Sequence, residues 1–361
     1  MRIVFLLPQE ATLPVGGFKI VYEYANRLSR RNHQVTILHF AHLLPHKAQR
    51  TLKDRMRIFR YVPFALRGNW GPDRWFKLDP AVKLVWLPSF MRIFLPEADF
   101  YVATWWTTAD RLGILKDLSA RKLYLIQHLE TWQGSADQVM ATWRAPLEKI
   151  VIARWLEEIG LEMGQKSHYI PNGLDFTKYG RDTPYESRDP LQLAMMFSHS
   201  LSWKGSFYGL AAVVQLKEKF PGLKAEFFGV DARPAELPAW IVYHQAPAQA
   251  ELRRIYNRAS IFIAPSLSEG WGLPPCEAMM CGAAVVATDI GGHREFCTDS
   301  ETALLVPPKN PDAIATAVSR LIADPQLRLK MANNGNQNIQ RFVWDAAIDK
   351  FEEVMRNPAL T

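Results

Sequence analysis

The chain has 361 residues, 48% of them hydrophobic and 22% charged, which suits a folded protein with two cores and excludes disorder and collagen-like repeats. No apolar run approaches the roughly 20 residues of a membrane-spanning helix, and the run at 4–7 is too short for a signal-peptide core. The net charge of +7 points to an acidic partner, and Cys276, Cys281 and Cys297 have no disulfide-framework or zinc-ligand spacing, so a reducing compartment and no metal site are expected.

Residues 2–7 form an apolar run suited to a buried strand, and a turn through Val15, Gly16 and Gly17 follows. Val21, Tyr24, Ala25 and Leu28 then recur at helical spacing, with Arg27, Arg30 and Arg31 near the end, where cations suit the helix dipole. Residues 34–40 read as the next strand, and a strand–helix–strand opening predicts a parallel, doubly wound sheet. Residues 123–126 read as a further strand, ending in Gln127-His128-Leu129-Glu130.

Residues 1–170 hold 24 Lys and Arg against 15 Asp and Glu, whereas the rest hold 19 against 21. Much of the excess lies between His46 and Leu95, in Lys47, Arg50, Lys53, Arg55, Arg57, Arg60, Arg67, Arg74, Lys77, Lys83 and Arg92. Phe59, Tyr61, Phe64, Trp70, Trp75, Phe76, Trp86, Phe90 and Phe94 are interleaved with them. Basic side chains beside Trp and Phe suit an anionic membrane surface, where rings sit at headgroup depth. A solvated face over an ordinary core is the alternative.

The polar segment 172–190 reads as a linker, after which the same grammar restarts. Strands are predicted at 191–198, 223–229, 261–265 and 283–288, and helices at 203–220, 248–259 and 275–280. One long helical stretch from Pro311 towards Phe342 and an amphipathic helix over 344–355 complete the chain. The pattern predicts two Rossmann-like α/β domains: residues 1–171, joined by a C-terminal helix at 344–361, and residues 172–343.

The strongest motif is Pro265-Ser-Leu-Ser-Glu-Gly-Trp-Gly-Leu-Pro-Pro-Cys-Glu-Ala-Met279. A strand ends, a glycine-rich loop turns, and a helix starts at a proline, whose missing N–H is no loss in a first turn. Gly270 and Gly272 leave backbone amides unshielded at a helix N-terminus, an arrangement that binds phosphate. A carboxylate would repel phosphate, so Glu269 and Glu277 suit hydroxyls at the two ends of a diphosphate ligand, a hexose at one and a ribose at the other. Taken alone, the spacing is more simply a loop carboxylate and a helix-start carboxylate that favours the dipole.

The string Glu-Gly-Trp-Gly-Leu-Pro-Pro-x-Glu-Ala-Met after a strand ending Pro-Ser resembles the nucleotide-sugar signature of family 4 retaining glycosyltransferases, which have the GT-B fold of two Rossmann-like domains facing a cleft. Gly16-Gly17 resembles the family's N-terminal glycine loop, whose amides approach the donor diphosphate. Ile170-Pro-Asn-Gly-Leu-Asp175 resembles its entry into the second domain. Lys204-Gly205 resembles the lysine that neutralises the donor phosphates, and His128 the histidine beside the sugar's hydroxyls and reacting carbon. Outside the resemblance, Gly16-Gly17 is a turn, Lys204 a solvated lysine and His128 a satisfied histidine at a strand end. The family commonly has Arg five residues before the lysine, where this chain has His199, whose charge is conditional near pH 7.

The resemblance implies a hexosyl or deoxyhexosyl transferase that retains anomeric configuration. Glu277 would take the ribose, Lys204, His199 and the amides of Gly270, Trp271, Gly272 and Leu273 the phosphates, and Glu269 the sugar. His128, Lys204 and Glu269 would be nearest the chemistry. Asp-x-Asp, Gly-x-Gly-x-x-Gly after a strand, a Walker loop and Gly-x-Ser-x-Gly are all missing, so neither a metal nor a cofactor is expected. The expected partners are a nucleotide-sugar donor, a glycan or lipid-linked saccharide acceptor and an anionic membrane surface, in a cytoplasmic setting and in surface-polysaccharide assembly. A catalytically degenerate scaffold subunit is the rival, and no helix-turn-helix, zinc or RNP signature supports nucleic-acid binding.

Overall fold

Short apolar runs bounded by glycine, proline and polar turns build the strands of both sheets. The computed structural model describes residues 1–41, 43, 45, 46, 63, 70–116, 118–132 and 134–357. The chain divides into Met1–Pro171 with Ala347–Thr361, and Asn172–Ala346.

In the first unit the described elements are β1 (Arg2–Leu7), α1 (Gly16–Arg30), β2 (Gln34–Phe40), β3 (Lys83–Leu87), β4 (Phe100–Ala103), α2 (Trp106–Gly113), β5 (Arg121–Ile126), α3 (Ala136–Trp143), β6 (Glu148–Val151), α4 (Arg154–Glu162) and β7 (Ser167–Tyr169). Among the described residues the sheet runs β3-β2-β1-β4-β5-β6-β7, with every neighbouring pair parallel. The chain steps outward from β1 through β2 to β3 and then crosses to β4 on the other side of β1, so the crevice at the carboxyl ends of β1 and β4 is the switch point where ligands bind in such sheets.

Gly16 and Gly17 open α1 rather than lie in the loop before it. Their N–H groups belong to the first turn, where no intrahelical acceptor exists, so they keep the capacity to meet an anion. Val15 precedes them with no side-chain cap.

Some of the expected membrane-facing aromatics need correction, whereas Phe94 is exposed. Phe76 and Phe90 are buried, Trp75 donates from Nε1 to the Ala11 carbonyl, and Phe76 and Trp75 both pack on Tyr22. Their rings serve this unit's core because burying a large aromatic there outweighs leaving it in water. Exposed apolar surface is instead concentrated at Met91, Ile93 and Phe94, around the exposed Arg92. Lys47, Arg50, Lys53, Arg55, Arg57, Phe59, Arg60, Tyr61, Phe64 and Arg67 lie outside the described residues.

The second unit contains β8 (Gln192–Met196), α5 (Ser206–Lys219), β9 (Lys224–Gly229), β10 (Ile241–Gln245), α6 (Gln249–Arg258), β11 (Ile261–Ala264), α7 (Leu273–Met280), β12 (Ala284–Thr288), α8 (Gly291–Arg294), β13 (Leu304–Val306), α9 (Pro311–Ala323) and α10 (Pro325–Ile339). Its sheet runs β10-β9-β8-β11-β12-β13, again parallel throughout. Here the switch point lies between β8 and β11. Leu193, Met195, Phe227, Ile261, Ile263 and Val286 supply the strand side of the core, against Val213, Leu216, Val318 and Leu321 from helices.

Three expectations change in this unit. The stretch from Pro311 breaks at Asp324, whose extended backbone ends α9 and whose carboxylate accepts from the Leu327 amide to cap α10. Segment 172–190 is packed rather than a loose linker. Arg188 is buried and donates to the carbonyls of Thr183, Ala259 and Cys281, while Tyr179 is 3% exposed. Finally α7 starts at Leu273, two residues before the expected start, with prolines following in its first turn, where their missing N–H groups cost nothing.

The last helix, α11 (Trp344–Arg356), begins in the second unit, where the Trp344 ring lies against Gly173. Its remaining residues belong to the first unit. There Phe351 is fully buried against Phe5 and Tyr24, and Glu352 accepts from His33 and Arg356.

Candidate active site

Three loops converge at the switch point of the second sheet. The first follows β8: Ser202–Lys204 makes one tight turn, which Gly205 ends in the left-handed region at φ +61°. A Cβ on Gly205 would overlap the Pro265 carbonyl, so only glycine permits this approach. The second loop follows β11, and its Leu267 amide donates to the Trp203 carbonyl over 2.7 Å. The third runs from β12 into the Gly291-Gly292 start of α8. A Cβ on Gly292 would stand 2.5 Å from the Glu269 carbonyl oxygen and 2.9 Å from that of Trp271.

This clamp brings Lys204 to Glu269. Lys204 Nζ donates to Glu269 Oε1 over 2.7 Å, and Ser266 Oγ donates to the same oxygen over 2.8 Å. Both charged side chains are largely buried, at 17% and 12% exposure. Burial alone would raise the Glu269 carboxyl, but the Lys204 charge and bond, His293 and Ser266 outweigh it and hold it below the usual range. Lys204 carries three N–H donors, so bonding to Glu269 leaves capacity for a phosphate oxygen.

Gly270, Trp271 and Gly272 are buried behind this pair, and Gly272 caps α7 at φ +106°. The Trp271 indole is committed to the core: Nε1 donates to Cys276 Sγ and the ring stands edge-on to Phe342. What Trp271 can offer a ligand is its backbone N–H. Leu273 is half-buried at the first position of α7. Glu277, one turn in, is 6% exposed, and its Oε2 accepts from the Tyr256 hydroxyl over 3.0 Å. His199 is half-exposed and turns Nδ1 toward Asp231 Oδ2 at 3.7 Å, with Ser198 and Ser200 donating to the same carboxylate.

His293 is part of this site and has no counterpart among the sequence expectations. It is fully buried, its Nδ1 lies 2.8 Å from the Thr288 carbonyl, and its Nε2 has no hydrogen-bond partner among the described residues. Burial lowers its pKa, so the ring is neutral at pH 7 and Nδ1 is the donor in this bond. The imidazole edge lies against the Cα of Gly272, where a Cβ would come within 3.0 Å. The Gly291-Gly292 pair after a strand, the same glycine-turn grammar as Gly270-x-Gly272, was the available signal.

In the first unit, a Cβ on Gly17 would stand 3.5 Å from the Gln127 side chain, which brings α1 beside the carboxyl end of β5. The half-buried His128 follows, with Nδ1 3.1 Å from the Leu129 carbonyl and Trp132 and Trp155 edge-on to its ring. Glu130 is buried and accepts from the Trp106 amide over 2.7 Å, capping α2. Burial raises its carboxyl well above the usual range. Among the described residues no group of three or more His, Cys, Asp and Glu side chains is placed to hold a metal ion.

Two parallel α/β sheets, each with loops gathered at its switch point, define the GT-B fold. The chain is similar over 99% of its length to HepE of Anabaena in complex with UDP and glucose (TM-score 0.73, 17% identity, 99% of that chain). It is comparably similar to sucrose-phosphate synthase of Thermosynechococcus elongatus (TM-score 0.72, 16% identity, 98% of that chain). Residues 188–338, which lie in the second unit, match the model of the family described as glycosyl transferases group 1.

Among curated relatives, the D-inositol 3-phosphate glycosyltransferase of Streptomyces bingchenggensis is 37% identical over 112 residues, 30% of this chain and 25% of the relative. The protein of the same name from Segniliparus rotundus is 25% identical over 281 residues, 68% of this chain and 61% of the relative. In both, the match spans less than two thirds of the relative's own length.

Proposed function

We propose that this chain is a retaining, metal-independent glycosyltransferase of the family 4 kind, moving a sugar from a nucleotide diphosphate sugar to a glycan or lipid-linked acceptor in surface-polysaccharide assembly. The observation that carries the reading is the Lys204–Glu269 pair at the mouth of the Gly270–Leu273 turn, with Glu277 one helical turn further on. A cation, a row of amides and two separated carboxylates match, in that order, a diphosphate and the hydroxyls of the groups on either side of it. The relatives and structural neighbours add support at the level of class, since their names and ligands include glycosyltransferases, UDP and glucose.

In this reading Glu277 takes the ribose, held in place by Tyr256, and Glu269 takes a hydroxyl of the transferred sugar. The acceptor oxygen attacks the anomeric carbon from the face that the diphosphate leaves. The bond from that carbon to phosphate oxygen breaks as the new glycosidic bond forms, and the acceptor proton passes to the departing phosphate oxygen. Lys204 and the loop amides stabilise the charge that develops there, the task a metal ion performs elsewhere. His128 would contact the sugar's hydroxyls.

No helix of the described residues is long and apolar enough to cross a membrane. A peripheral position at the inner face of the cytoplasmic membrane is supported by exposed Ile93 and Phe94 beside Arg92. The test is transfer by purified protein from UDP-, GDP- and dTDP-sugars, preceded by thermal-shift screening against the nucleotides. Glu277→Ala should weaken nucleotide binding and Glu269→Ala should mainly lower transfer. Wild-type behaviour in both variants would remove the loop from the mechanism, and full cellular function with both replaced would favour the scaffold reading.

A further inference from the structure

Behind the glycine turn stands the short α8, whose second and third residues touch the backbone of the turn. A Cβ on Gly292 would meet the carbonyl oxygens of Glu269 and Trp271 before any other atom of those residues, so both carbonyls are turned toward α8. In a trans peptide the C=O of one residue and the N–H of the next point in opposite directions, and no cis bond occurs among the described residues. The N–H groups of Gly270 and Gly272 are therefore directed away from α8.

His293 completes this wall. Cδ2 and Nε2 of its ring lie 3.0 and 3.2 Å from the place of a Cβ on Gly272, the residue that caps α7 at φ +106°. The other edge of the ring is pinned, because Nδ1 donates to the Thr288 carbonyl over 2.8 Å. Thr288 is itself tied to the turn: its hydroxyl donates to the Ser266 carbonyl, and Ser266 Oγ donates to Glu269. A rigid ring held at one edge thus presents its other edge to the left-handed residue at which α7 starts. Packing does not account for an imidazole here. A leucine would fill similar volume without burying Nε2, which has no hydrogen-bond partner among the described residues, and such a buried atom lowers stability.

We propose that His293 is a positioning residue for the glycine turn, its ring holding Gly272 in the left-handed region and so keeping the amides that open α7 aimed at a diphosphate. The proposal rests on the reading of the Gly270–Leu273 turn as the diphosphate site and adds the group that keeps the turn in shape before a donor arrives. Glycine enters and leaves the left-handed region at little cost, so Gly272 without a prop would sample other conformations. Each departure turns amides off the anion, and ordering them again on binding lowers affinity. Being neutral, the ring braces the turn without adding charge beside Lys204 and Glu269.

The test measures binding to the full chain by calorimetry with three probes: inorganic pyrophosphate, whichever of UDP, GDP and dTDP the wild type binds most tightly, and the nucleoside of that diphosphate. His293→Asn keeps an N–H for the Thr288 carbonyl but stops short of Gly272. It should weaken pyrophosphate and the nucleoside diphosphate about tenfold, while the nucleoside stays within about twofold. His293→Gln, whose amide reaches the place of Nε2, should return to within about threefold of wild type. In transfer, His293→Asn should raise donor KM about tenfold and leave acceptor KM within about twofold. Circular dichroism and unfolding midpoints check that each variant folds. If His293→Asn does not fold, His293→Met decides: its flexible chain fills the volume without fixing Gly272 and should weaken pyrophosphate at least about threefold. Equal losses for diphosphate and nucleoside, unchanged pyrophosphate affinity in the folded variant, or a wild type that binds no pyrophosphate would overturn the proposal. Pyrophosphate binding that depends on His293, without transfer from any nucleotide sugar, would retain the brace and defeat the transferase reading.

Discussion

Lys204 Nζ lies 2.7 Å from Glu269 Oε1, joining residues 65 apart in the chain at the switch point of the second sheet. The Lys204 charge and hydrogen bond hold the buried Glu269 carboxyl below its usual range. Lys204→Ala is expected to lower transfer about 10²- to 10³-fold, the scale seen when one preorganised donor to a developing charge is lost. The double variant with Glu269→Ala should lose less than the two single losses combined, because the groups share one bond. A cycle measured on kcat that adds without coupling would show that the pair does not act as a unit.

The same pair sets a pH dependence with a definite sign. The Glu269 carboxyl is held below its ordinary value, so it contributes stability above about pH 4.3 that disappears as pH falls through the folded value. In Lys204→Met the carboxyl stays buried without its cation and its pKa rises. That variant should lose stability as pH climbs from about 4 toward 7. Denaturant titrations across this range decide the matter, since a constant gap between variant and wild type contradicts the coupling.

Tyr256→Phe removes the hydroxyl that donates to Glu277 and leaves the ring packed against Phe228 and Phe262. Stability should fall by about 1 kcal/mol. Nucleotide affinity should fall less than in Glu277→Ala, because the carboxylate remains but is less well aimed. Calorimetric titration with the preferred nucleotide separates the two, and equal losses would mean that Tyr256 itself meets the ligand.

Gly164 and Gly205 share a left-handed backbone, at φ +69° and +61°, but not their surroundings. Nothing stands within 4 Å of a Cβ on Gly164, while one on Gly205 meets the Pro265 carbonyl. Gly164→Ala should therefore cost about 1–2 kcal/mol, the conformational penalty alone. Gly205→Ala should cost about 3 kcal/mol or more, because overpacking is added, and it should also separate Lys204 from Glu269 and abolish transfer. Unfolding midpoints that match in the two variants would contradict this account of the clamp.

Metal independence is tested by chelation. Transfer should continue at its original rate after EDTA treatment, because Lys204 and backbone dipoles stabilise the leaving diphosphate in the proposed mechanism. A loss above about tenfold that Mg²⁺ or Mn²⁺ restores would refute this.

Much of the α/β fold is legible in the sequence because the signals are local. Residues 2–7 and 34–40 are apolar runs of strand length and fold with those limits as β1 and β2. Strands β3, β4, β6, β7, β10 and β13 are not legible in the same way, since runs of three to five residues such as Ser167–Tyr169 and Leu304–Val306 take extended form only when a neighbouring strand supplies their hydrogen bonds. The break at Asp324-Pro325 carries its own signal, a capping aspartate before a proline, but it sits inside an uninterrupted helical period. Segment 172–190 has linker composition, yet Arg188 and Tyr179 make it part of a core, a fact that depends on carbonyls more than 60 residues away.

The Glu269–Glu277 motif is visible because strand, glycine turn and helix start are consecutive in the chain, and the role proposed for it comes from the resemblance of the full string. Sequence by itself thus determined the alternation of strands and helices, the place of the glycine turn at the start of α7 and the charge excess of the first half. It could not assign the pairings that depend on loops meeting: Lys204 with Glu269, His199 with Asp231, His293 behind Gly272, or Trp132 and Trp155 against His128. Those positions are set by strand order, because only the reversal of direction within each sheet brings together the ends of strands far apart in sequence. Tertiary packing also decided that Phe76 and Phe90 would enter a core, since whether an aromatic ring meets protein or solvent depends on what folds over it.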